Sequence, residues 1–123
     1  AKGAQHAVIV SDAVVATGMP DGPYISANHC VVVKNGVSRT RGGALAGGSI
    51  YVSQGVANLI AAGIPSVDAY VMATQSAAAW MGWQAHGTIA PGKVAHLAAV
   101  GGDWRPQWSL IGETYYQAEE KTK

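Results

Sequence analysis

Charged side chains are scarce in this chain, and that scarcity limits its possible folds more than any other feature. Its 123 residues include 8 Lys and Arg with 7 Asp and Glu, or 12%, which is about half the usual share. A free-standing domain of this size exposes much of its surface and covers it with charged side chains. The chain therefore buries a large face against a partner or is part of something larger, and we expect residues 1–123 alone to fold poorly.

Composition also excludes several classes of protein. With 49% hydrophobic residues, the chain is not disordered for lack of apolar side chains. A net charge of +1 without a basic run argues against nucleic acid and anionic membranes as partners. A single cysteine, Cys30, cannot form a disulfide within the chain or a multi-cysteine zinc site. Residues 1–6 lack a signal-peptide pattern and no apolar run is long enough to cross a membrane, so we expect a cytoplasmic protein.

Asp12 is the residue whose position most strongly suggests chemistry. It follows, by two residues, an apolar run over residues 7–10 that predicts a strand buried on both faces of a parallel sheet. Enzymes of the α/β class place catalytic groups at the carboxyl ends of such strands. Asp12 is therefore a candidate general base. The alternative is a loop aspartate that accepts a hydrogen bond from a nearby backbone N–H.

Turn residues and hydrophobic periodicity predict a mixture of strands and helices. Asn35-Gly36 is a strong hairpin signal between two short strands, and Gly63 and Gly82 are plausible helix ends. The predicted strands cover residues 7–10, 30–34, 37–40, 94–100, 108–111 and 114–117, and the predicted helices cover residues 52–62 and 66–80.

A glycine-rich loop over residues 42–48 is the second candidate functional segment. Its backbone N–H groups could bind an anion, but it lacks the Lys-Ser/Thr ending of a P-loop, and a flexible connector is the alternative. The histidines are scattered without metal-ligand spacing, so we expect no metal site made by this chain alone. They are His6, His29, His86 and His96.

Three motifs occur in order along the chain. Residues 8–22 contain VIVSDA followed by ATGMPDG, residues 43–49 are GALAGGS, and residues 87–97 are GTIAPGKVAHL. The first two resemble the last barrel strand with its loop, and the G-x-L-[AS]-G-S loop, of N-acetylglucosamine-6-phosphate deacetylases. The third resembles the G-x-I-x-P-G-K-x-A-D-L tail found more widely in the amidohydrolase superfamily. His96 departs from the usual Asp of that tail, and residues 75–77 depart from the usual N-P-A.

The resemblance implies an α/β fold that is only part of a larger one. A (β/α)₈ TIM-type barrel needs about 250 residues, so the chain would be the C-terminal part of such a barrel, its last strand and closing helices, plus part of a small β-sandwich domain. The implied divisions are residues 1–28, the last barrel strand and catalytic loop; 29–41, a β-hairpin; 42–86, the substrate loop and closing helices; and 87–123, the C-terminal strands of the sandwich.

The resemblance also implies a reaction in amino-sugar metabolism. The family hydrolyses the N-acetyl group of N-acetylglucosamine 6-phosphate, with Asp12 matching its catalytic aspartate and Leu45, Ala46 and Gly47 matching the loop that touches the sugar. It uses a divalent metal ion, zinc or similar, whose His and Glu ligands would lie outside this chain. The chain would need the missing N-terminal barrel portion for activity, and a homodimer is implied.

Two other functions stay open at this point. Another amidohydrolase, such as a deaminase or a cyclic-amide hydrolase, would share Asp12 and the tail but not the first two motifs together. A non-catalytic β-rich interaction module that dimerises through its apolar face is the alternative from a different class. Metal content and deacetylase activity, measured together with the missing portion, would distinguish the three.

Overall fold

The computed structural model describes residues 2–26 and 29–118, and two small antiparallel sheets with three helices form the regular structure. The chain divides into two units. One unit is Val10–Gly55, and the other combines Ala1–Ile9 with Val56–Lys123. None of the described helices combines the length and the apolar character needed to cross a membrane.

The first sheet lies in the unit Val10–Gly55 and has the strand order β1-β2-β3. Its strands are β1 (Gly22–Ser26), β2 (His29–Lys34) and β3 (Val37–Thr40). The predicted hairpin is confirmed: Asn35 and Gly36 both have positive φ, 52° and 71°, as the tight turn between twisted strands requires. β1 was not predicted, because it begins with Gly22-Pro23 in a stretch that reads as a turn.

The core of this unit comes from alternation along β2. Val31 and Val33 are buried while Val32 between them is exposed, since successive strand residues face opposite sides. Ala16 completes the buried cluster, and Val14, Tyr24 and Ala46 pack against it. The buried face of the sheet is thus covered by the loops before β1 and after β3.

Three helices follow along the chain. They are α1 (Val52–Ala61), α2 (Ser66–Ala73) and α3 (Gln75–Trp80). The first predicted helix is confirmed, and it ends where Gly63 takes a positive φ of 91°. The prediction of one helix over residues 66–80 is wrong, because the chain breaks at Thr74, which has φ −129° and ψ −81°.

Contacts with distant residues explain the break at Thr74. The Met72 carbonyl, which an unbroken helix would reserve for the N–H of residue 76, accepts a hydrogen bond from Ile9 N–H at 3.1 Å. Gly87 packs so closely that a Cβ there would lie 2.9 Å from the Thr74 carbonyl oxygen. Ser76 donates its hydroxyl to the Ala4 carbonyl at 2.8 Å. Helix periodicity in the sequence carries no sign of these partners.

The second sheet has the strand order β4-β5-β6, and its three predicted strands are confirmed. They are β4 (Leu97–Val100), β5 (Pro106–Ile111) and β6 (Thr114–Gln117). β4 begins three residues later than predicted, because Val94 N–H donates to the Ala85 carbonyl at 2.9 Å instead of joining the ladder. Gly112 turns the chain between β5 and β6 with φ 61°.

Residues 7–10, predicted as a doubly buried strand, lie in no strand of the described structure. A short 3₁₀ helix (Ala4–His6) precedes them, and Val10 is 73% exposed. A strand buried on both faces needs paired neighbours at both edges, and within residues 2–26 and 29–118 nothing supplies them. The assignment of this segment to a barrel strand therefore stays a prediction about a larger protein.

Candidate functional site

Two loops bring the predicted site residues together in the unit Val10–Gly55. One follows residues 7–10 and carries Asp12, and the other follows β3 and carries Leu45, Ala46 and Gly47. Gly48 N–H donates to the Asp12 carbonyl oxygen at 2.6 Å. An isolated parallel bridge joins Ala13 to Gly48 at the same point. Residues 30 or more positions apart in the sequence thus become neighbours.

Asp12 has an unusual backbone conformation and an exposed side chain. Its φ is 47°, in the left-handed region that Asp enters more readily than most non-glycine residues. Its Oδ2 lies 3.3 Å from the position that a Cβ on Gly47 would occupy. Its carboxylate has no hydrogen-bond partner among the described residues. The carboxylate therefore lies beside the glycine-rich loop and can accept a proton.

A different aspartate fills the capping role that was the alternative for Asp12. The Asp21 carboxylate accepts hydrogen bonds from Asn35 N–H at 2.7 Å and from Gly36 N–H at 3.3 Å. It fixes the turn between β2 and β3. The two carboxylates of this unit thus differ: one is engaged by the backbone, and the other is available.

The two loops approach so closely that only glycine fits at the contact. A Cβ at Gly47 would lie 2.7 Å from the Asp12 carbonyl oxygen and 2.8 Å from Val14 Cγ1, and Gly47 has φ 135°. A Cβ at Gly48 would overlap the carbonyl oxygen of Ser11. Glycines allow backbones to approach where any side chain would collide. Gly47 and Gly48 of the GALAGGS motif are therefore required locally by the neighbouring Asp12 loop.

The sheet holds the other side of the glycine-rich loop. Ala46 N–H donates to the Ser38 carbonyl at 3.0 Å, and Thr40 N–H donates to the Ala44 carbonyl at 2.9 Å. Arg39 Nη1 donates to the Gly43 carbonyl at 2.8 Å. Leu45 is 69% exposed at the tip of this loop. These hydrogen bonds hold the backbone of the loop, and the Leu45 side chain is exposed to solvent.

Three hydroxyl groups in this region were missed by the sequence analysis. The fully buried Ser38 shares a hydrogen bond of 2.6 Å with the Ser49 hydroxyl, and Thr17 Oγ1 donates to the Gly48 carbonyl at 2.9 Å. Hairpin register could have identified Ser38, because it pairs with the buried Val33 and is a polar residue on an apolar face. No signal in the sequence identifies Thr17.

Ligands for a metal ion do not assemble in the described part of the chain. Residues 2–26 and 29–118 contain no group of three or more His, Cys, Asp or Glu side chains close enough to hold one. The rings of His86 and His96 lie 5.4 Å apart, in the unit that does not contain Asp12. A single exposed carboxylate is not a ligand set for a divalent ion, so these residues do not fit the metal that the resemblance implies.

A cavity of about 440 Å³ lies in the other unit. Tyr70, Ile89 and Leu97 contribute to its lining, which among the described residues includes no carboxylate. The Tyr70 hydroxyl is buried without a described partner, and burial raises the pKa of that hydroxyl. The cavity is mainly apolar, although His96 also lines it.

Comparison with known proteins identifies similar enzymes over most of the chain. It is 37% identical over 98 residues to an N-acetylglucosamine-6-phosphate deacetylase of Vibrio furnissii, a match that covers 78% of the chain and 25% of that protein. It is 35% identical over 98 residues to an N-acetylgalactosamine-6-phosphate deacetylase of Escherichia coli O157:H7, covering 78% of the chain and 26% of that protein. The chain thus spans about a quarter of the length of these curated relatives. No protein-family model matches it.

The fold agrees with this likeness. The crystal structure of an N-acetylglucosamine-6-phosphate deacetylase from Thermotoga maritima superimposes with a TM-score of 0.86 and 26% identity, covering 94% of this chain and 32% of the other. The resemblance stated from the sequence motifs is confirmed. Over most of its length, this chain is similar to N-acetylglucosamine-6-phosphate deacetylases and spans only part of them.

Proposed function

We propose that this chain is part of an enzyme that hydrolyses the N-acetyl group of N-acetylglucosamine 6-phosphate to glucosamine 6-phosphate and acetate. The observation that carries the proposal is the contact between two loops, in which Gly48 N–H donates to the Asp12 backbone carbonyl and the exposed Asp12 carboxylate lies beside Gly47. The similarity to deacetylases supports the reaction class. Because the relatives are about four times as long as the matched part, the activity belongs to the complete protein.

In this proposal the chain is the C-terminal part of a (β/α)₈ barrel together with part of a small β-sandwich. Residues 1–28 supply the last strand and the catalytic loop, residues 29–41 the hairpin, residues 42–86 the substrate loop and closing helices, and residues 87–123 the sandwich strands. The location of Asp12 just beyond residues 7–10 fits the carboxyl end of a barrel strand, where such enzymes carry their chemistry.

Asp12 moves the proton in this reaction. Amide hydrolysis removes a proton from water as its oxygen bonds to the acetyl carbonyl carbon, and it returns a proton to nitrogen as the C–N bond breaks. Asp12 accepts the first proton and gives it to the leaving amine. Its exposed carboxylate, with no described partner, has both oxygens available for this exchange.

The glycine-rich loop positions the sugar. Gly47 lies beside Asp12, and the hydrogen bonds of Ala44 and Ala46 to β3 keep the backbone that carries Leu45 and Ala46 in place. A preformed loop reduces the entropy lost on binding. Residues that hold the phosphate are proposed to lie outside this chain.

A divalent metal ion, zinc or similar, is proposed as the cofactor of the complete enzyme. It would polarise the acetyl carbonyl and activate water. The described residues provide no ligand set for it, so its ligands are assigned to the part of the enzyme outside this chain. A cytoplasmic location and a homodimer remain predictions from the sequence.

Substitution of Asp12 tests the proposal. In the complete enzyme, Asp12→Asn keeps the shape of the side chain but cannot exchange the proton, so we expect kcat to fall at least about 100-fold, within the range of general acid–base catalysis. KM should move little and metal content should persist, because the phosphate contacts and the metal ligands lie elsewhere. The matched control is Asp103→Asn, an exposed carboxylate of the other unit.

A variant Asp12→Asn that retains more than about a tenth of the wild-type kcat, while Asp103→Asn is unchanged, would remove Asp12 from the chemistry.

The identity of the sugar is tested separately, since one curated relative is named for the galactosamine compound. We expect a higher kcat/KM for N-acetylglucosamine 6-phosphate than for N-acetylgalactosamine 6-phosphate. The reverse preference would make the second sugar the substrate.

A further inference from the structure

The peptide groups of Gly48 are the link between the Asp12 loop and the glycine-rich loop. Gly48 N–H donates to the Asp12 carbonyl at 2.6 Å. Its carbonyl accepts two hydrogen bonds, from Val14 N–H at 3.2 Å and from the Thr17 hydroxyl at 2.9 Å. Asp12 is thus hydrogen-bonded to the N–H of Gly48, and the Gly48 carbonyl is in turn fixed by these two donors.

The Thr17 hydroxyl is one of two donors that hold the Gly48 carbonyl. Its distance of 2.9 Å and the 3.2 Å from Val14 N–H both lie within the usual ranges for their donor types, each longer than the most common value. Thr17 is itself fixed, because its N–H donates to the Val14 carbonyl at 2.9 Å. The bond is partly buried, so water competes with it less than at an open surface.

The backbone of Asp12 needs such support. Its φ of 47° lies in the left-handed region, which Asp enters more readily than most non-glycine residues but which is still less favourable than its common conformations. The surroundings here are the bond from Gly48 N–H to the Asp12 carbonyl and the bridge from Ala13 to Gly48. If Gly48 shifts, Asp12 can relax to a more common φ and its carboxylate turns away from Gly47.

We infer that Thr17 is a positioning residue for Asp12 and acts through the Gly48 peptide groups. This inference rests on the proposed function, in which Asp12 exchanges the proton. Thr17 itself touches neither substrate nor reacting atoms. The binding side of the loop is held separately, since Ala46 N–H bonds to the Ser38 carbonyl on β3. Loss of the Thr17 hydroxyl should therefore lower kcat and leave KM nearly unchanged.

The variants Thr17→Val and Thr17→Ser test the inference in the complete enzyme. Valine keeps the size and branching of threonine and removes the hydroxyl, so we expect kcat to fall roughly three- to tenfold, the effect of one modest hydrogen bond. Serine keeps the hydroxyl and should restore kcat to within about twofold of wild type. Thr114→Val on β6, in the other unit, is the matched control and should not change kcat.

A double-mutant cycle separates positioning from a merely structural role. If Thr17 acts through Asp12, Thr17→Val should lower kcat little or not at all in the Asp12→Asn background. An equal fall in both backgrounds, or no rescue by serine, would overturn the inference, as would a Thr17→Val enzyme with wild-type kcat. Should Asp12→Asn itself leave kcat unchanged, the proposed function fails first, whatever Thr17→Val does.

Discussion

The two sheets of this chain each have three strands in antiparallel order, yet only the first has fully buried residues among its described strands. In the first sheet, Val31, Val33 and Ser38 are buried against loops of their own unit. In the second sheet, none of the described strand residues is fully buried, and all four residues of β6 are exposed. Both sheets pair their strands antiparallel, with a register shift between Ala99 and Val100 in the second sheet, and burial is the larger difference.

The difference shows how hairpins and cores depend on different parts of a sequence. The ladder of the second sheet forms from neighbouring segments, helped by a cross-strand contact between Trp108 and Tyr115 with ring centres 5.8 Å apart. Covering its faces needs another element, because a three-stranded sheet gains most stability from a buried face. The first sheet has that cover in the loops that carry Asp12 and Gly48, so its stability and the candidate site depend on the same contacts.

Gly48→Ala should destabilise the unit of the first sheet more than any other substitution considered. The added Cβ would overlap the Ser11 carbonyl, so we expect the free energy of unfolding to fall by roughly 3 kcal/mol or more, as for other forced backbone displacements. Thermal unfolding and the yield of folded complete enzyme measure this. Gly42→Ala is the control, because a Cβ there meets only Thr40 Oγ1 at 3.8 Å. Equal stability of the two variants would show that the loops do not meet as described.

Val33→Ala tests the core of the first sheet. Val33 is 3% exposed, and truncation of a buried side chain to alanine leaves a cavity, so we expect a loss of about 2 kcal/mol. Val32→Ala on the same strand, at a residue that is 36% exposed, should cost less than about 1 kcal/mol. Urea unfolding of both variants measures the difference. A larger loss for Val32→Ala would contradict the strand orientation.

Substitutions in the connections between strands should lower the free energy of unfolding least. Asp21→Ala removes the acceptor of two backbone hydrogen bonds in the β2–β3 turn, which should cost about 1 kcal/mol. Asp103→Ala removes an exposed ion pair with Arg105, with 3.6 Å between Nε and Oδ2, and one exposed hydrogen bond from Arg105 N–H at 3.1 Å, and should cost less than Asp21→Ala because it loses a single backbone bond. Thermal unfolding of the two variants compares them. If Asp103→Ala is the more harmful, the β4–β5 connection contributes more than its geometry indicates.

Most of the regular structure could be predicted from local sequence, because its determinants are local. Asn35-Gly36 fixed the first hairpin, and Gly63 fixed the end of α1. The break at Thr74 could not be predicted, since its causes are Ile9 and Gly87, which are distant in sequence. The strand expected at residues 7–10 is absent from the described structure for a similar reason, because a doubly buried strand depends on neighbours that this part of the chain lacks.

The candidate site was predictable only in part. Asp12 was suggested by its place after an apolar run, and Leu45, Ala46 and Gly47 by resemblance to a known loop. The contact between Asp12 and Gly47 depends on how two loops lie against each other. The spacing of residues in the sequence does not reveal this. The hydrogen bond from Thr17 is even harder to predict from the sequence, because it depends on the direction of the Gly48 carbonyl.

The proposed hydrolysis of the N-acetyl group is tested most directly by the product balance of the complete enzyme acting on N-acetylglucosamine 6-phosphate. Acetate and glucosamine 6-phosphate are measured together over a full time course, with a reaction without enzyme as the control. We expect the two products to appear in equal amounts, each equal to the amount of substrate consumed. Consumption of substrate without acetate, or no consumption by a folded and metal-loaded enzyme, would contradict it.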